Sequence, residues 1–126
     1  MNTQNYTQKT VEAIQNAQNI ARENDNQSLV PEHLLYSLLD QDGGLIPSLF
    51  GKMGVDCNTV LGELDSYIAT LPKVSGGEMY LSSETDRVIR TAEKTAKSMN
   101  DEYVSVEHLM IGIFTNMTPE IRKIFN

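Results

Sequence analysis

Apolar positions along the chain recur every three or four residues, the spacing expected of helices that bury one face. Val11, Ile14, Ala17, Ile20 and Ala21 form the first such stripe. With Thr7 as a capping residue, the stripe predicts a helix from about 7 to 24, broken by Asn24, Asp25 and Asn26. Pro31 then opens a second helix at the position where a missing amide proton costs nothing, and Leu34, Leu35, Leu38 and Leu39 supply its buried face. After Gly43 and Gly44, the segment from Ile46 to Met53 predicts a short third helix. Asp56 caps a fourth that runs through Val60, Leu61, Leu64 and Ile68 to about Leu71, where Pro72 ends it. The stretch from 72 to 81, with Gly76 and Gly77, carries no regular pattern and reads as a connector.

Beyond the connector the first pattern returns. Ser82 or Ser83 caps a helix striped by Val88, Ile89, Ala92, Ala96 and Met99. Ser105 caps the next, with Glu107 in its first turn where the helix dipole favours negative charge. Thr118, Pro119 and Glu120 open the last. A shift of 75 positions lays residues 6–50 over 81–125 without a gap, matching Thr10 to Thr85, Ile14 to Ile89, Ala17 to Ala92 and Ala21 to Ala96. The same register matches Glu32, His33 and Leu34 to Glu107, His108 and Leu109, then Ile46 to Ile121 and Phe50 to Phe125. The expected fold class is therefore all-α, with no strand: two pseudo-twofold-related helical repeats, about 6–71 and about 82–126, joined by the connector at about 72–81. Seven helices are expected, the eighth that would complete the second repeat being missing.

Composition narrows the chemistry. A net charge of −7 with scattered basic residues opposes nucleic-acid binding. No apolar run is long enough for a membrane span, and the first residues carry neither the basic nor the apolar region of a signal peptide, so a cytoplasmic location is expected. The single cysteine, Cys57, cannot form an internal disulfide, and after Asp56 it reads as a packed thiol rather than a nucleophile. Nucleotide chemistry finds no phosphate-binding loop: Gly44 to Lys52 has the wrong glycine spacing, and Met53 follows the lysine. The doubled Glu32-His33 and Glu107-His108 could suggest metal half-sites, but adjacent helical residues point about 100° apart. Each His is instead expected to pack near a helix start and each Glu to serve the dipole. Tyr6, Tyr36, Tyr80 and Tyr103 are expected to anchor core edges. The chain is expected not to be an enzyme.

The segments NYTQKTVEAI, VPEHLLYSLL, LPKVSGGEMYLSSE and NDEYVSVEHLMIGIF resemble the amino-terminal domain of the Clp ATPases, the ClpB disaggregase type above all, over essentially the whole chain. The resemblance implies a double Clp-N motif of two four-helix repeats, tethered to ATPase modules that carry the ATP and Mg; no cofactor is implied in the domain itself. It also implies partners: unfolded or aggregated protein, passed on to the hexameric ATPase, and in some relatives adaptor proteins. The family's substrate patch falls on Thr7, Asp101 and Glu107. An alternative is the adaptor-docking or phosphoarginine-reading domain of a protease-coupled Clp unfoldase, for which Glu32 and Glu107 would approach a guanidinium.

Overall fold

The computed structural model describes residues 2–126. Seven helices account for most of it: α1 (Gln8–Glu23), α2 (Pro31–Leu39), α3 (Leu45–Lys52), α4 (Cys57–Ala69), α5 (Ser83–Ser98), α6 (Val106–Thr115) and α7 (Pro119–Ile124). Their starts are set by the anticipated side chains. Thr7 Oγ1 accepts from the Thr10 amide at 3.2 Å, Asp56 from Asn58 at 3.1 Å, Ser82 Oγ from Thr85 at 3.1 Å and Thr118 Oγ1 from Ile121 at 3.1 Å. The long helices α1 and α5 end alike: Asp25 and Asn100 take positive φ, and the next amides, of Asn26 and Asp101, reach back to Ala21 and Ala96 at 2.8 and 2.9 Å.

One expectation fails. The chain does contain strand: β1 (Ser28–Leu29) and β2 (Tyr80–Leu81) pair in parallel, Ser28 with Tyr80 and Leu29 with Leu81. An isolated parallel bridge joins Tyr6 to Val104. These pairings obey the 75-residue register, since 6 corresponds to 81 and 29 to 104. The segment preceding each long helix is held by the loop that follows the other long helix. The amide of Thr7 donates to the Val104 carbonyl and that of Ser82 to the Leu29 carbonyl, both at 3.0 Å. Beneath these, the fully buried Thr10 and Thr85 hydroxyls donate to the same two carbonyls at 3.0 and 2.7 Å. Reciprocal contacts between matched residues define the pseudo-twofold relation.

Small residues on α1 and α5, including Ala13, Ala17, Ala21, Ala92 and Ala96, let α2 and α6 pack closely upon them with Leu34, Leu35, Leu38, Leu109 and Ile113 fully enclosed. Ile46 and Ile121 place α3 and α7 on the same core. In the first half α4 adds Val60, Leu64 and Ile68 to it and packs on α2, α3 and α7. Among the described residues the second half has no counterpart of α4.

Three surface assignments are corrected. Met99 lies outside the α5 stripe, more than half exposed as the C-cap, because the chain leaves the helix there. Tyr80 and Tyr103 project from the paired loop segments, about half exposed, and so do not anchor the core edge, whereas Tyr6 is buried and its hydroxyl donates to Glu93 at 2.8 Å.

Candidate functional site

The Glu-His-Leu landmark starts α2 and α6 with one geometry. The backbone N–H of the capping residue, Val30 or Ser105, donates to Nδ1 of the histidine three residues on, at 3.0 and 2.9 Å. Nδ1 is thus an acceptor, and the ring proton sits on Nε2, where it is donated to Asn26 Oδ1 at 2.9 Å from His33 and to Asp101 Oδ2 at 2.8 Å from His108. Both imidazoles are buried. Burial pulls the His33 pKa down to about 4. The histidines therefore brace the helix starts, as anticipated.

The two glutamates, alike in sequence, meet opposite fates. Glu32 is 1% exposed and accepts a hydrogen bond of 2.5 Å from the Thr118 hydroxyl of α7; burial raises its pKa. Glu107 is exposed. Glu32 is closed in by Thr118 at the start of α7, with α4 packed on α2 beside it. Glu32, Leu35 and Leu39 are covered there, while the matching Glu107, Met110 and Phe114 line an open groove.

That groove has a volume of about 420 Å³, within the range of small-ligand clefts. Its walls are almost wholly apolar, with Glu107 the one charged residue. Leu49 and Met53 of the α3 end face Ile111 of α6, each more than 40% exposed. Its floor is a cluster of all three phenylalanines. The matched residues Phe50 and Phe125 meet edge to face at 6.0 Å, and Phe114 completes the set at 6.2 and 5.1 Å. Such pairing adds to burial and fixes the floor's shape. A larger hollow of about 640 Å³ between α4 and α7 is bordered by Glu63, Tyr67, Glu120 and Lys123.

Of the residues expected to form the site, Thr7 meets the 101–104 segment at Val104, the opposite end from Asp101. Thr7 spends its side-chain oxygen on the α1 cap and its amide on Val104. Asp101 holds His108 and borders a hollow shared with Tyr6, Glu93, Lys97 and Glu102. Glu107 lies on the groove, and Glu32 lies inside the protein. The groove's phenylalanines and Met53 were missed as site residues. Part of their signal was present in the α6 stripe Met110, Ile111, Phe114, an apolar run that no helix covers among the described residues. The Cys57 thiol is half-buried, 3.8 Å from the Pro47 carbonyl, with no general base bonded to it. Among the described residues no group of three or more His, Cys, Asp or Glu is placed to hold a metal, and no helix is long and apolar enough to cross a membrane.

A family model described as the Clp repeat (R) N-terminal domain matches residues 5–126. The chaperone protein ClpB of Porphyromonas gingivalis is 44% identical over 115 residues, covering 91% of this chain but 13% of that protein. The ClpB of Brucella suis is 36% identical over 128 residues, covering all of this chain and 15% of that protein. Among solved structures, the Hsp104 N-terminal domain from Candida albicans superimposes with a TM-score of 0.86 at 19% identity, over 97% of this chain and 80% of that one. The N-terminal domain of the ClpV1 ATPase from E. coli gives 0.85 at 16% identity, over 98% and 78%. The chain thus spans about an eighth of the length of its ClpB relatives.

Proposed function

The chain belongs to the Clp repeat N-terminal domain family, and on that premise we propose that it is the substrate-recognition domain of a ClpB-type disaggregase. In this reading it binds unfolded or aggregated polypeptide weakly in the cytoplasm and passes it to ATPase modules that hold the ATP and Mg, with no catalytic step of its own. The reading is carried by the family match over residues 5–126 and by the ClpB relative at 44% identity, with the apolar groove beside Glu107 as the surface offered to a client. A groove of this kind takes up apolar side chains, and the carboxylate favours segments that also carry Lys or Arg. On the matching surface of the first half, α4 presses Val60, Leu64 and Ile68 inward. The groove therefore suits segments with apolar residues along one side. Ordering a flexible segment offsets much of the contact energy, so a Kd of about 1 to 100 μM, or roughly 5 to 8 kcal/mol, is expected.

The adaptor-docking or phosphoarginine alternative draws less support, because Glu32 is enclosed beneath Thr118 and only Glu107 of the two glutamates is open to a guanidinium. Titration of fluorescein-labelled casein, an unfolded polypeptide, into the chain tests the proposal. Ile111→Ser and Met53→Ser should each weaken binding several-fold, and Glu107→Ala should weaken it and flatten its salt dependence, with melting temperature retained. Casein binding that ignores all three changes would remove the groove from the function; tight binding of phosphoarginine in its place would favour the alternative.

A further inference from the structure

Asp101 and Asn26 occupy matched positions, and each accepts the Nε2–H of a buried histidine that braces the start of the next helix, at 2.8 and 2.9 Å. The first half performs this task with a neutral amide. We propose that Asp101 is a positioning residue for the groove: its oxygen holds His108, His108 holds the first turn of α6, and that turn carries Glu107 and leads into Met110, while the negative charge itself is dispensable. The inference rests on the groove reading above, and it reassigns Asp101 from client contact to support.

The bonding around the ring fixes what is required. His108 Nδ1 lies at 2.9 Å from the Ser105 amide and at 3.0 Å from the Ser105 hydroxyl, so it faces two donors and must stay unprotonated to accept from them. The only proton of the neutral ring then points at Asp101, and a carbonyl oxygen receives it as well as a carboxylate oxygen does. His108 is 3% exposed and Asp101 is the acceptor for its Nε2–H, so a replacement without an acceptor exchanges a fixed partner for at best a mobile water and loosens the hold on the ring. The Asp101 side chain is 45% exposed, which leaves room for the NH2 of an asparagine on its outer side.

Asp101→Ala and Asp101→Asn separate charge from support in the full chain. Two measurements are made on each: the affinity for labelled casein, and the hydrogen-exchange rates of the His108 and Leu109 amides, whose bonds to the Ser105 carbonyl close the first turn. Asp101→Ala should weaken casein binding about five- to tenfold and speed exchange at both amides about tenfold, the scale of one lost buried hydrogen bond. Asp101→Asn should keep both within about twofold of the parent, the size of a surface change. Loss of binding in Asp101→Asn equal to that in Asp101→Ala would assign Asp101 to client contact through its charge and overturn the inference. So would weakened binding in Asp101→Ala with unaltered exchange, or no change in either measurement. If the parent chain itself does not bind casein, the groove reading fails, and the exchange rates alone still decide whether Asp101 supports α6.

Discussion

Glycine-to-alanine substitution should have opposite signs at two helical positions of this domain. Gly62 lies on the exposed side of α4, and a Cβ there would meet nothing within 4 Å. Gly112 lies on the buried side of α6, and its Cβ would sit 2.4 Å from the Val88 carbonyl oxygen of α5 and 3.2 Å from Val88 Cγ1. Both changes gain helix propensity of about 0.5 to 1 kcal/mol by restricting the unfolded chain. At Gly62 that gain stands alone. At Gly112 the helices must separate by about 1 Å to restore an ordinary 3.4 Å contact, and a gap of that size forfeits roughly a quarter to a half of the dispersion between facing atoms. Overpacking of this kind costs typically about 1 to 3 kcal/mol and can exceed the propensity gain several times over. The matching crossing in the first half carries Ser37, whose hydroxyl donates to the Ala13 carbonyl at 2.6 Å, so close approach without a side chain belongs to the second half. Thermal and urea unfolding followed by circular dichroism should show Gly62→Ala melting about 2 to 5 °C above the parent and Gly112→Ala about 2 to 12 °C below it, at roughly 3 to 6 °C per kcal/mol for a domain of this size. A Gly112→Ala chain as stable as the parent would refute the packing argument at the α5–α6 crossing.

Acid should act through His33 and Glu32 in opposite directions. Because the folded His33 pKa is lowered to about 4 from 6.5, the unfolded chain takes a proton that the fold refuses. Stability present above pH 6.5 is then lost as pH falls toward 4, by about 3 kcal/mol in all. Glu32, raised above its usual 4.5, contributes stability at low pH that is lost as pH rises through its folded value. Glu32→Gln keeps an acceptor for Thr118 and removes a desolvated charge, so it should raise the urea midpoint at neutral pH by the equivalent of about 1 kcal/mol and lose that advantage in acid; an unaltered pH profile would contradict the assignment. Thr10→Val and Thr85→Val each remove a buried hydroxyl bonded to the opposite half. Each should cost about 1 to 2 kcal/mol in urea unfolding, and the double variant about their sum; a loss at one site only would mean that the two joints are not equivalent.

The helices and their caps were legible because each rests on local chemistry: a stripe of period 3.6 and a hydroxyl or carboxylate at the right offset, as at Thr7, Asp56, Ser82 and Thr118. The strand pairs were not, because two-residue pairings between positions 28 and 80, or 6 and 104, leave no periodicity and depend on contacts far along the chain. The repeat register did contain the answer, since a twofold relation requires any contact from one half to be returned by the other. Glu32 and Glu107 mark the other boundary of legibility. Each sits in the same Glu-His-Leu setting, and contacts distant in sequence, Thr118 and α4 beside Glu32, decide which carboxylate meets solvent. Tyr80 and Tyr103 went astray for a related reason: an aromatic beside a helix end is buried or open according to what tertiary structure brings alongside.

Each long helix depends on a carbonyl that belongs to the opposite half, and for Thr10 that partner lies 94 residues further along. As the chain emerges from a ribosome, its first helix must therefore wait, with its joint unmade, until Val104 has been synthesised. Local helix formation can run ahead, but cooperative closure comes late and nearly all at once, and a nascent chain arrested before Val104 should remain sensitive to protease even though most of its residues already lie outside the tunnel.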